Sequence, residues 1–210
     1  MKVETVKTGP WKQNCYIIND ETKKAVVIDP GDDSESIDAL ITELHLKPIG
    51  ILNTHAHFDH VAAVDDLKKK YAIPFYLHER ETSLLKRANL YKMALMGAAG
   101  ITIPEIDHLL TNDHTDLSIQ HFKFIIHKTP GHTNGSLCLE IENYLFVGDT
   151  LLNSSLIPKK LPEENQELLK KSFEYLSGLR PDLIVMPGHG TPEKLGIRMK
   201  EIFEEIARRE

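Results

Sequence analysis

Apolar positions along this chain recur in two patterns: short β-branched runs, and longer stretches with apolar residues three and four apart. The runs at 14–18 and 25–28 flank the polar turn Asn19-Asp20-Glu21-Thr22 and predict a hairpin ending at Asp29-Pro30-Gly31. Ile37, Leu40, Ile41 and Leu44 predict a helix over 34–44, capped by Asp33 or Ser34. A buried strand over 48–52, a helix over 59–71, a strand over 75–77 and a helix over 79–96 follow. The second half repeats the alternation. Strands are expected at 117–119, 122–126, 136–141 and 144–147, then a helix at 162–176, a strand at 183–186 and a terminal helix at 191–208. Two such halves predict an α/β layered sandwich, sheet on sheet with helices outside. Segments 25–31 and 145–150 align between the halves.

Composition narrows the function rather than the fold. The 210 residues suit one domain spanning 1–210, and 41% hydrophobic residues are enough to build a core. A net charge of −6 speaks against a nucleic-acid or membrane-surface partner. No apolar run approaches the roughly 18–20 residues needed to span a bilayer. The first residues lack the apolar stretch of a signal peptide. Cys15 and Cys138 make no disulfide framework and read as small core residues, so a cytoplasmic location is expected.

Eleven histidines are the departure from an ordinary composition. Thr54-His55-Ala56-His57-Phe58-Asp59-His60 follows a predicted strand and opens a helix. Alternate residues of an extended segment point the same way, so His55 and His57 can converge on one cation. Asp59 and His60, at the turn into the helix, can reach a second point nearby. Imidazoles with a carboxylate suit Zn²⁺, Fe²⁺ or Mn²⁺. His132, Asp149 and His189 each sit at the end of a further apolar strand, in Pro-Gly-His, Gly-Asp-Thr and Pro-Gly-His-Gly contexts. A lone Pro-Gly-His is ordinarily a surface turn; the four segments together, in order and all at strand ends, are a signal. His45, His78, His108, His114, His121 and His127 match no ligand position and are expected at the surface or at helix ends.

This series, His-x-His-x-Asp-His, then Gly-His, Gly-Asp and Gly-His, resembles the metallo-β-lactamase fold superfamily, and within it the small glyoxalase II-like hydrolases. The resemblance implies a four-layer αβ/βα sandwich. It implies two divalent metal ions, zinc first and iron or manganese as alternatives. His55, His57 and His132 would hold one, Asp59, His60 and His189 the other, with Asp149 shared. Asp29 would orient the ligand loop. The implied activity is hydrolysis of a thioester or related activated acyl bond in a small-molecule substrate by a metal-bridging hydroxide, with Asp59 orienting the nucleophile and taking its proton.

Departures from that pattern concern the substrate. The segment after Asp149 lacks a Gly-Arg-Thr-Asp type motif, and only one helix follows His189. Lys159, Lys160 or Arg198 would then supply any anion contact. Class B β-lactamases usually carry a cysteine at the Asp149 position, and lactonases a tyrosine near Leu152. Persulfide dioxygenases resemble the chain too and would use one iron at His55, His132 and Asp149. A non-catalytic metal-binding protein is the remaining alternative, against which the full ligand set argues. Residues 84–96 carry an apolar stripe, from which Tyr91 and Met93 are expected to line an acyl pocket.

Overall fold

The computed structural model describes residues 1–97, 100–152 and 162–209, except for the side chain of Arg209. Two six-stranded sheets form among them. The first has the order β1-β2-β3-β4-β5-β6, built from Lys2–Thr8, Gln13–Asn19, Lys24–Ile28, Lys47–Leu52, Phe75–His78 and His108–Leu110. The second has the order β12-β11-β10-β9-β8-β7. In chain order its strands are β7 (Asp116–Ile119), β8 (Phe122–Lys128), β9 (Leu137–Ile141), β10 (Tyr144–Gly148), β11 (Ile184–Pro187) and β12 (Glu193–Lys194). Both sheets are mixed: β3, β4, β5 and β6 run parallel, as do β10 and β11, and the other neighbours are antiparallel.

Strand alternation explains the four layers. In β2, Tyr16 and Ile18 face the opposite sheet and pack with Phe124, Leu139 and Phe146. Cys15 and Ile17 face the other way, toward α1 (Ser34–Glu43), α3 (Val64–Tyr71) and α4 (Thr82–Met96). The second sheet mirrors this: Phe146 points inward, while Leu145 and Val147 pack under α5 (Gln166–Ser177) and α6 (Leu195–Arg209). Stretches covered on both faces are mostly apolar, which is why 15–18 of β2, 25–28 of β3 and 144–147 of β10 read as unbroken apolar runs. Cys15 and Cys138 are free and buried, one in each outer layer.

The strands invisible to the apolar pattern are β1, β6 and β12. β1 carries Lys2, Glu4 and Lys7 and lies at a sheet edge, where charge is tolerated and discourages further pairing. β6 and β12 hold three and two residues. The helix expected over 59–71 is two, α2 (Phe58–Val61) and α3. The Ala63 amide turns from the helical ladder to the Gly31 carbonyl, at 2.6 Å, and the axis breaks there. α5 begins at Gln166 rather than at 162, because the Asn165 side chain accepts the Leu168 amide as its cap. Helix α4 turns Leu84, Leu85 and Ala88 inward; Tyr91 is part-covered and Met93 is exposed, so the expected pair of wall residues is split. No helix among the described residues is long and apolar enough to cross a membrane.

The segments aligned between the halves occupy matching places. β3 leads through α1 to its parallel neighbour β4, and β10 leads through α5 to β11. Asp29 and Asp149 follow β3 and β10 respectively. β4, β8 and β11 deliver His55, His132 and His189 just beyond the same ends, so all these residues meet on one rim of the sandwich.

Candidate metal centre

Three imidazole nitrogens converge at the first point. His57 Nδ1 lies 3.1 Å from His55 Nε2 and 2.9 Å from His132 Nε2. At the second, His189 Nε2 is 3.1 Å from Asp59 Oδ2, and His60 Nε2 is 3.9 Å from the same oxygen. Asp149 stands between them: its Oδ2 is 3.6 Å from His132 Nε2 and 3.7 Å from His189 Nε2, while Oδ1 is 3.4 Å from His60 Nε2. The structure thus brings all seven anticipated ligand residues together, as His55-His57-His132-Asp149 and Asp59-His60-His189.

The outward nitrogens identify where the protons sit. His55 Nδ1 meets the Thr54 hydroxyl at 3.0 Å, and that hydroxyl itself donates to Asp29 Oδ2 at 2.6 Å. His60 Nδ1 meets Asp29 Oδ2 at 3.0 Å, and His189 Nδ1 meets the Trp11 carbonyl at 3.2 Å. His57 Nε2 meets Glu163 Oε1 at 2.6 Å. Each of these rings donates outward, so its inward nitrogen presents a lone pair. Asp29 also accepts the Thr54 amide at 2.7 Å, and it therefore orients His60 directly and His55 through Thr54.

Lone pairs facing one another at such distances fit a cation. Buried His60 Nε2 and Asp149 Oδ1 have no hydrogen-bond partner, an arrangement that is costly unless a further group fills it. The electrostatics agree. Burial and the neighbouring His57 push His132 down to about 3, and burial with the surrounding histidines holds His55 well below its usual range. Burial opposes charge on His60 too, but the Asp149 and Asp59 carboxylates outweigh it and raise its pKa well above the usual range. The rim is built to attract positive charge. Nitrogen and carboxylate donors in this mixture suit zinc or iron.

Gly188 permits the close packing: a Cβ there would stand 2.2 Å from Asp149 Oδ1 and 2.6 Å from His60 Cε1. Its loop is tied to the first half through the Asn14 side chain (2.8 Å) and Tyr16 hydroxyl (2.6 Å), which both donate to the Pro187 carbonyl.

Three contributors carry no local sequence signal. Glu163 arrives from the connection before α5. Although burial resists it, hydrogen bonds from His57 and Tyr91 hold its carboxyl down at about 2. Glu81, fully buried, joins the His55–His60 loop to the His132 loop by accepting from the amides of Ala56 and Gly135 and the hydroxyl of Thr133. Thr54 couples Asp29 to His55. Spacing identifies ligands that share a segment; Thr54 lies in that segment but its role depends on Asp29, whereas Glu81 and Glu163 come from distant elements.

Other anticipated residues fall elsewhere. Lys159 and Lys160 lie outside the described residues. Arg198 is buried, paired with Glu193 and donating to the Thr191 carbonyl, so it fastens the turn after His189 instead of facing solvent. Arg198→Met is expected to leave substrate KM unchanged and to lower stability by about 1–3 kcal/mol, measured by urea unfolding, since it strands a half-buried Glu193. Among the remaining histidines, His78 is buried but lies at a helix end as expected, whereas His127 is buried within β8. His78 caps the short turn Glu79–Glu81, while His127 bridges the Tyr175 hydroxyl and Glu140 beneath α5.

Comparison with known proteins agrees with this geometry. The metallo-beta-lactamase superfamily profile matches residues 8–189, and the chain belongs to that superfamily. It is 35% identical over 194 residues to the probable metallo-hydrolase YqgX of Bacillus subtilis, covering 90% of each chain. It is 30% identical over 199 residues to the hydroxyacylglutathione hydrolase GloC of Haemophilus influenzae, covering 93% and 94%. The crystal structure of the B3 metallo-beta-lactamase BLEG-1 superposes with a TM-score of 0.88 at 36% identity, covering 95% and 97%. The chain is a probable metal-dependent hydrolase.

Proposed function

We propose that this protein hydrolyses acyl thioesters at a binuclear zinc or iron centre. The observation that carries the reading is Asp149, whose carboxylate reaches toward both ligand clusters at once. Two divalent ions held there would supply Lewis acidity and a water of lowered pKa. Asp59 orients the attacking water and takes its proton. Asp29 and Thr54 keep His55 and His60 from rotating. Trp11, 42% exposed and edge-on to Phe58 at 5.0 Å, offers an apolar wall beside His189 for the substrate.

The leaving group supports a thioester over an amide-like bond. A thiolate, with a thiol pKa of about 8.5, departs without a proton donor. The similarity to a hydroxyacylglutathione hydrolase supports the same class.

The test is release of free thiol from S-lactoylglutathione by zinc-loaded and by iron-loaded protein, run beside a lactone and a β-lactam. Thiol release that a chelator abolishes is expected. Turnover of the lactone or β-lactam alone, with both metal equivalents bound, would refute the thioester assignment.

A further inference from the structure

His55 and His132 face the first metal position through Nε2, whereas His57 faces it through Nδ1. The proton of His57 must therefore sit on Nε2, and the ring must not turn over. Something has to hold that proton. Glu163 Oε1 lies 2.6 Å from it, and both side chains are only 7% exposed. The other carboxylate oxygen, Oε2, accepts the Tyr91 hydroxyl at 2.7 Å. The three residues come from three places: His57 from the loop after β4, Glu163 from the connection between β10 and α5, and Tyr91 from α4.

The seven-ligand pattern requires neither Glu163 nor Tyr91. Their arrangement nevertheless parallels that of Asp29 around His60. Each cluster contains one imidazole backed by a carboxylate, and the two carboxylates come from opposite halves of the chain. The geometry points to Glu163 as a positioning residue for the first metal, with Tyr91 as its brace. A carboxylate in this place raises the donor strength of the imidazole and fixes its orientation. It also couples α4 and the connection before α5 to metal retention. The inference rests on the metal-binding reading of the clusters and is independent of which acyl substrate is cleaved.

The experiment is metal titration of the full chain with Co²⁺ and Zn²⁺ in competition with a chromophoric chelator, together with the visible spectrum of the Co²⁺ form. Wild type, Glu163→Ala, Glu163→Gln and Tyr91→Phe are compared, with folding checked by circular dichroism. One metal equivalent is expected to weaken by about 10–100-fold in Glu163→Ala, with an altered Co²⁺ spectrum. Glu163→Gln, which keeps an acceptor oxygen, should recover part of that loss. Tyr91→Phe, which removes only a hydroxyl and keeps the ring, should weaken the same equivalent to a smaller extent. Wild-type affinity and spectrum in Glu163→Ala and Tyr91→Phe would overturn the inference. A wild-type chain that binds no metal would overturn the metal reading and this inference with it. Failure to cleave thioesters by a chain that passes the test would count against the proposed substrate alone.

Discussion

Alanine in place of Asp59 is expected to lower hydrolysis by about 10²–10⁴-fold, the range over which a positioned acid–base group acts. The side chain contributes on two counts. Its Oδ2 is 3.1 Å from His189 Nε2, so it belongs to the second ligand cluster, and it is the carboxylate placed to accept the proton of the attacking water. The substitution is structurally mild. Asp59 lies in the first turn of α2, alanine is a good helix former, and the Asp59 carbonyl that packs against Gly31 remains. Steady-state hydrolysis at saturating metal, with metal content measured on the same samples, separates the two roles. Loss of one metal equivalent together with activity indicates a ligand role. Loss of activity with both equivalents retained indicates proton transfer. Unchanged turnover would contradict the assignment altogether.

Glu81→Ala is expected to cost about 3–5 kcal/mol of stability, a large share of what a domain possesses. The carboxylate accepts the Ala56 amide at 2.9 Å, the Gly135 amide at 2.7 Å and the Thr133 hydroxyl at 2.8 Å, with no route to solvent. Removing it leaves two buried amides without acceptors, while the Thr133 hydroxyl can still turn to Ser136. Glu81→Gln should cost less, because its amide oxygen satisfies part of the set. Burial, outweighing the bonds from Thr133, Ala56 and Gly135, raises the Glu81 pKa above its ordinary 4.5. The folded chain therefore holds this proton more tightly than the unfolded one. The stabilising contribution is complete below about 4.5 and is lost as pH rises through the folded value. The margin of wild type over Glu81→Gln should consequently narrow between pH 4.5 and 7, as read by urea unfolding of the metal-free protein. A margin that widens with pH would show that the carboxylate is stabilised by its donors more than it is penalised by burial.

The strands that carry the site were legible from two patterns: 25–28 of β3 and 144–147 of β10 are apolar runs because both faces are covered, and β8 alternates, with Lys123 and Ile125 exposed. The charged edge strand β1 and the short β6 and β12 were not, since strands of that kind are held by pairing with a neighbour and leave little hydrophobic pattern. The break between α2 and α3 depends on the Gly31 carbonyl capturing the Ala63 amide, a contact across 32 residues that no local spacing encodes.

The same division runs through the site. His55, His57, Asp59 and His60 announce themselves because a dense polar cluster directly after a buried strand has few other uses. His132, Asp149 and His189 could be added because each follows an apolar strand at a glycine turn. Ligand types, the layered class and the superfamily follow from residue type and order alone. How those residues are held in place depends on the folded chain. Asp29 was anticipated from the resemblance, but Glu81 and Glu163 act through hydrogen bonds to residues 52 and 106 positions away, and Arg198 is turned inward by its pairing with Glu193. The physical reason is that a side chain's local pattern records its burial, whereas its partner is chosen by where the folded chain brings a second polar group within about 3 Å.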